Sequence, residues 1–277
     1  MRTRGPIVLP NGLPAHGATV GDVRLYQFIS DYFEAGFELR PGMTVIDVGA
    51  NVGLFSLEVL QRCGGDVELY AFEPAPATFA HLRRNIGDLF PDAGARLFPC
   101  ALAARSGDAT FYFRPRAPVL SSLHSTSQVD WPAHVDALLR PVVPEEFANV
   151  LPPWFRRLPR AFTRPLLIAA MRWMSRKVVA TSCSVITLSE ILRLHEVETV
   201  DLLKIDVEGA ELDVLHGIDL EDWPRIRAIA VEVHDIEQRL SVIRSLLERA
   251  GFDRIDASQE WIFEGTDVYM QTASRGP

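Results

Sequence analysis

One pattern constrains this chain more than any other. Short apolar runs recur, and most are followed by a segment with helical periodicity. The runs are "MTVIDV" (43–48), "VELYAF" (67–72), "ARLFPCAL" (95–102), "VDLLKIDV" (200–207) and "IRAIAVEVH" (226–234). Helices are expected over 54–63, 76–87 and 209–218. Another is marked by Ile236, Leu240, Ile243, Leu246 and Leu247, with Gly251 as its stop. A helix between two strands carries the chain back to the starting edge, so the strands lie parallel in a doubly wound α/β sheet. Two last strands, about 252–257 and 260–271, are only a few residues apart and must pair antiparallel. "DATFYF" (108–113) reads as a short extra strand. Residues 1–42 form an irregular arm and an amphipathic helix marked by Leu25, Phe28, Ile29, Tyr32 and Phe33; the main domain occupies 43–277.

Composition narrows the function. The net charge of −8 argues against a general nucleic-acid binder. Cys63, Cys100 and Cys183 show no metal-binding or disulfide spacing, so a reducing cytoplasm is expected. The first residues lack the apolar core of a signal peptide. The most apolar segment, "PLLIAAMRWM" (165–174), is too short to span a bilayer.

The turn after the first long strand carries Asp47, Gly49, Asn51 and Gly53. Glycines at a strand-to-helix turn admit a ligand to the backbone, and the helix N-terminus offers free N–H groups. Glu73 ends the next strand, where an acid can accept hydrogen bonds from both hydroxyls of a ribose. Together they indicate a nucleoside-bearing cofactor. A dinucleotide would call for GxGxxG, but the turn reads "GANVG" (49–53). S-adenosylmethionine fits better: Asp47 could attract its ammonium and the helix amides its carboxylate.

Seven ordered blocks then resemble the FkbM-type methyltransferases. They are "VIDVGANVGLFSL" (45–57), "AFEPAPATFAHLRRNI" (71–86), "ALAARSGDATF" (101–111), "SSL" (121–123), "TLSEIL" (187–192), "VDLLKIDVEGAELDVLHGI" (200–218) and "AIAVEVHD" (228–235). The resemblance implies a class I methyltransferase fold: a Rossmann-like, mainly parallel seven-stranded sheet. It implies S-adenosyl-L-methionine as methyl donor and O-methylation of a small hydroxylated metabolite such as a polyketide or sugar. By position, Asp47, Gly49, Asn51 and Gly53 would line the methionine half of the cofactor and Glu73 its ribose. Pro74 and Ala101 would lie near the adenine. Rival readings are N- or C-methylation, an NAD-dependent oxidoreductase, and a cofactor-binding scaffold without activity.

Methyl transfer to oxygen needs a base for the hydroxyl proton and a fixed approach to the sulfonium methyl. Two strand ends can reach that place. The fourth central strand offers Asp206 and Glu208; the fifth offers Glu232, His234 and Asp235. His234 has the pKa range of a base near neutral pH. Asp206 and Glu208 are candidates to orient substrate or take the proton. Lys204 shares a strand face with Asp206 and could orient substrate. Glu211 reads as an acid favoured by a helix N-terminus. Asp206, Glu208 and Asp235 are hard ligands suited to a divalent cation, but no compact motif fixes three of them, and no metal is expected. Ser121, Ser122 and His124 are expected in the acceptor pocket.

Residues 115–185 break the alternation. They are proline-rich, and 154–177 carries six arginines and a lysine with no acid, interleaved with Trp154, Phe155, Phe162, Met171, Trp173 and Met174. This reads as a helical insertion at the strand ends. It could be a lid over the acceptor, a docking face for an acidic partner such as a carrier protein with tethered substrate, or a helix lying on an anionic membrane. A packed subdomain or homodimer contact is the plain alternative. A lid, combined with dimerisation, accounts for most of its features.

Overall fold

The computed structural model describes residues 5–19, 26, 29, 32, 33, 38–125, 129–140 and 158–276. In chain order the strands are β1 (Ile7–Val8), β2 (Pro14–Ala15), β3 (Met43–Val48), β4 (Val67–Phe72), β5 (Gly94–Phe98), β6 (Ala101–Leu102), β7 (Gly107–Phe113), β8 (Val179–Ile186), β9 (Leu202–Ile205), β10 (Ala228–His234), β11 (Arg254–Ser258) and β12 (Val268–Ser274). The helices are α1 (Leu54–Arg62), α2 (Pro76–Leu89), α3 (Trp131–Leu138), α4 (Arg160–Ser175), α5 (Leu188–Leu194), α6 (Glu211–His216) and α7 (Arg239–Arg249).

The main sheet has seven strands in the order β11-β12-β10-β9-β3-β4-β5. β5, β4, β3, β9 and β10 run parallel, and β12 lies antiparallel between β10 and β11. This is the class I methyltransferase architecture. The chain winds outward from β3 through β4 to β5, then reappears on the other side of β3 as β9. That reversal opens a crevice beyond the carboxyl ends of β3 and β9, where ligands of doubly wound sheets bind.

Period-two alternation explains how both faces are filled. Ile46, Val48, Tyr70, Phe72, Leu203, Ile205, Val231 and Val233 pack under α5, α6 and α7. Val45, Leu69, Ala71, Leu202, Ala228 and Ala230 pack under α1 and α2. Each central strand is buried on both sides, which is why it reads as a nearly continuous apolar run. Tyr32 and Phe33 close the second face with their rings 5.5 and 5.3 Å from Phe55. They and Ile29 are helical, while most of the amphipathic stretch that begins at Val23 lies outside the described residues.

Three expectations change. The run 95–102 is not one strand: it breaks at Pro99–Cys100 into β5, in the main sheet, and β6, which pairs with β8. β6, β8 and β7 form a separate three-stranded sheet. The tail of the segment expected to be a helical insertion is therefore extended, since β8 pairs antiparallel along β7. The last strand begins at Val268, not near 260, because residues 259–267 form a tight turn. The Gln259 Nε2 group binds the carbonyls of Phe263, Thr266 and Val268 at 3.0–3.1 Å and holds that turn closed. Trp154 and Phe155 lie outside the described residues.

Candidate active site

A cavity of about 340 Å³ opens over the carboxyl ends of β3, β4, β9 and β10. Its floor is built by the two turns that the sequence singled out. Gly49 adopts φ +79°, and a Cβ there would lie 1.8 Å from the Asp206 carbonyl oxygen, so only glycine lets the ends of β3 and β9 meet. Asn51 follows with φ 51°. Glu73 is buried beside this turn and accepts hydrogen bonds from the backbone N–H of Asn51 (3.1 Å) and Ala75 (2.8 Å). Burial outweighs those bonds and pushes its pKa up to about 7. Gly49, Asn51, Glu73, Pro74 and Ala101 all line the cavity.

Asp47 and Gly53 do not line it. The register pairs Asp47 with Lys204 across β3 and β9. The Asp47 carboxylate is fully buried, takes the Ser56 hydroxyl at 2.6 Å and lies 3.1 Å from the Lys204 ammonium. Its protein partners are thus Ser56 and Lys204, beneath the cavity rather than in its wall. Gly53 caps α1 at φ 92°, with Leu82 where a side chain would go, so its glycine serves packing. Lys204 is correspondingly drawn inward. Its ammonium donates to the Gly49 carbonyl at 3.1 Å and pairs with Asp47 and, at 3.5 Å, Asp206. Burial opposes its charge, but the two carboxylates prevail and raise its pKa. Lys204 edges the cavity, yet its bonds join the two turns.

The other end of the cavity gathers Asp206, Glu208, Glu232, His234 and Glu260. Glu208 has φ 54° and is followed by Gly209 at φ 96°. This left-handed pair turns the chain sharply after β9, with Glu208 on the cavity wall. His234, the last residue of β10, sits between two carboxylates: Nε2 is 3.3 Å from Glu208 and Nδ1 is 3.1 Å from Glu211. Burial alone would lower the imidazole pKa, but these two bonds hold it well above the ordinary value. Both ring nitrogens of His234, expected as a base, thus face carboxylates, an arrangement that favours the charged imidazole. Glu208 has its own pKa lifted by burial against the pull of His234. Burial, with Asp206 nearby, raises Glu232 further above the carboxylate range.

Glu211 differs most from expectation. It is fully buried and does more than complement a helix end: it accepts the Gly209 N–H (2.6 Å), pairs with Arg239 (3.3 Å) and holds His234. Its signal was available, since an acid that starts a helix two residues after a glycine can fold back onto that turn. Asp235 leaves the site altogether, because its Oδ1 accepts the Leu240 N–H at 3.0 Å. Asp206, Glu208 and Asp235 are thus not brought together as a set. Glu208, Glu232 and His234 instead place ligand-type atoms within 4.8 Å of one another.

A further wall of the cavity is made by Leu120, Ser121, Ser122, Leu123, Trp131 and His134 from the insertion, and by Phe263 from the β11–β12 turn. Ser121 and Ser122 are where the sequence expected them. Their hydroxyls are engaged, Ser121 accepting from the Arg114 N–H at 3.0 Å and Ser122 from the His124 N–H at 3.2 Å. His124 is not in the wall: its Nε2 meets Asp213 at 3.1 Å on the outer side of α6. Glu260 and Phe263 were missed because they sit in an irregular segment, where no periodicity says which way a side chain points, and Trp131 because it opens a short helix within the proline-rich insertion.

The family model for the methyltransferase FkbM domain matches residues 47–254. The chain belongs to the FkbM methyltransferase family. Among curated relatives, this FkbM methyltransferase is 33% identical to the 31-O-demethyl-FK506 methyltransferase FkbM of Streptomyces tacrolimicus, over 96% of this chain and 95% of that one. It is 29% identical to Methyltransferase 1 of Beauveria bassiana, over 83% and 80% of the two chains. Among solved structures it resembles magnesium protoporphyrin IX methyltransferase from Synechocystis, crystallised with bound S-adenosylmethionine. The TM-score is 0.42 and the identity 12%, over 92% and 81% of the chains, too loose a likeness to speak to function. The FkbM methyltransferase described here is an S-adenosylmethionine-dependent enzyme that acts on a small molecule. None of its described helices is long and apolar enough to cross a membrane.

Proposed function

We propose that this FkbM methyltransferase transfers a methyl group to a hydroxyl of a specialised metabolite, with Glu208 taking the hydroxyl proton. The observation that carries this is the line Glu211–His234–Glu208, which ends in the cavity on a carboxylate of raised pKa. A carboxylate above its ordinary range is a stronger proton acceptor. The protonated His234 beside it orients Glu208, and Glu211 with Arg239 fixes the imidazole. The Streptomyces relative, named for a 31-O-demethyl substrate, supports an oxygen acceptor.

S-adenosylmethionine supplies an electrophilic methyl group on a sulfonium. The residues present suit it. Glu73, buried on the cavity wall, would accept from the ribose hydroxyls, and the exposed backbone of Gly49 and Asn51 would meet the amino-acid tail. Pro74 and Ala101 would flank the adenine. Lys204 steadies both turns from beneath. The bound cofactor would give its methyl group to the acceptor oxygen as its carbon–sulfur bond breaks, and a Glu208 oxygen would take the hydroxyl proton. The carboxylates around that point would accept hydrogen bonds from further hydroxyls, while Leu120, Leu123, Trp131 and Phe263 would hold an apolar skeleton. The insertion acts as a lid over this half and excludes water.

The test pairs hydroxylated candidates with their O-capped counterparts and follows mass. A gain of one methyl group is expected only on the free hydroxyl; a gain on nitrogen or carbon would overturn the reading. Glu208→Gln should lower kcat by a factor of about 10²–10⁴, the usual range for removing a general base, with cofactor affinity retained. An unchanged kcat would transfer the role of base to Asp206.

A further inference from the structure

Large apolar side chains exposed to solvent cluster in one stretch of this molecule. Leu158, Phe162, Leu166, Trp173, Met174, Val178 and Val179 are exposed. Within α4, Phe162, Leu166, Ala169 and Trp173 follow i, i+4, i+7, i+11 and form one stripe along the helix. Phe162 is 71% exposed, Leu166 58% and Trp173 57%, although most of the chain's large apolar residues are buried. The opposite face is spent on α3, where Arg164 makes two 2.7 Å bonds to Asp136.

The charge around the stripe has one sign. Residues 158–179 contain Arg160, Arg164, Arg172, Arg176 and Lys177 and no acid, in a chain of net charge −8. Arg116 stacks over the Trp173 ring at 4.0 Å. We propose that α4 docks this enzyme onto an anionic lipid bilayer, its stripe entering the interface and its cations meeting the headgroups.

Two other occupants fit less well. A second copy would bring Arg172, Arg176 and Lys177 against their own counterparts. A protein partner needs directional polar groups to fix its register. Between Phe162 and Arg172 the stripe offers none, since Thr163 is buried and Arg164 is bound to Asp136. A bilayer needs only apolar depth and positive charge, and an amphipathic helix edged by arginines supplies both. The net charge of −8 would repel much of the molecule from the same surface and favours approach by this basic face. α4 rests on α3, and Trp131 at the head of α3 lines the acceptor cavity, so an apolar acceptor dissolved in the bilayer would enter one helix away.

Flotation of the full chain with vesicles tests the proposal. Binding is expected to vesicles of mixed phosphatidylcholine and phosphatidylglycerol, and little to phosphatidylcholine alone. It should weaken as salt screens the headgroups. Replacing Arg172 or Arg176 by Gln should reduce partition by roughly fivefold each. The double variant Phe162→Ser, Trp173→Ser should lose binding by tenfold or more, with affinity for S-adenosylmethionine unchanged as proof of folding. Absence of flotation at low salt, or flotation retained by the double variant, would overturn the proposal. So would self-association that the double variant abolishes, or capture of an acidic carrier protein without vesicle binding.

Discussion

Single residues in this enzyme bear opposed demands. Glu73 lines the cavity and is the residue proposed to bind the ribose, yet burial lifts its pKa to about 7. A protonated Glu73 offers one acceptor fewer to the ribose. Affinity for S-adenosylmethionine should therefore fall as pH drops from 8 to 6, and titration calorimetry across that range measures it. Glu73→Gln should bind the cofactor weakly at every pH, with the slope gone; a slope that persists would place the titrating group elsewhere. Both Glu73 and the Gly49 turn were legible in the sequence, because a glycine with no room for a Cβ and an acid at a strand end leave marks in the residue types. The pairing of Asp47 with Lys204 was not legible. That depended on which strand would lie beside β3, and the β9 register that delivers Lys204 is a property of the assembled sheet.

Elements carry what residue types cannot show. The antiparallel pair β11–β12 was readable from its spacing, but the turn between them was taken for strand. Residues such as Trp261 and Phe263 suit a strand by propensity, and the three carbonyls gathered by Gln259 override it. That turn delivers Glu260 and Phe263 to the acceptor wall. Gln259→Ala should cost about 1–2 kcal/mol in denaturant unfolding. It should also raise KM for the acceptor several-fold while leaving cofactor affinity unchanged. A change in cofactor affinity instead would show that the turn supports the other half of the cavity. Likewise Pro99 marked a break in the run 95–102, but nothing said that its end would join a different sheet, since Ala101 and Leu102 are apolar in either setting.

At the scale of the molecule, buried titrating groups make stability depend on pH in one direction. Glu73 has a folded pKa of about 7 against about 4.3 unfolded, so its ionisation opposes folding progressively as pH rises through that window, by about 4 kcal/mol once complete. His234 is raised above its unfolded value near 6.5. It stabilises the fold below that pH and loses its contribution as pH climbs through the folded pKa. Both effects act together, so the cofactor-free enzyme should melt at steadily lower temperature from pH 5 to 9. A thermal scan over that range checks it, and a maximum at alkaline pH would contradict the assignment of these two groups.

The place where the insertion joins the fold has its own consequence. Phe113 and Val179 are partners across β7 and β8, so residues 114–178 leave the sheet and return to it at facing positions. Closing a longer or shorter loop between two fixed neighbours changes the entropy only slowly with length. Such an attachment works as a socket: a different segment could be closed between these two residues while β7 and β8 stay paired. Chimeras spliced at Phe113 and Val179 would thus be the natural way to move acceptor preference from one enzyme of this family to another.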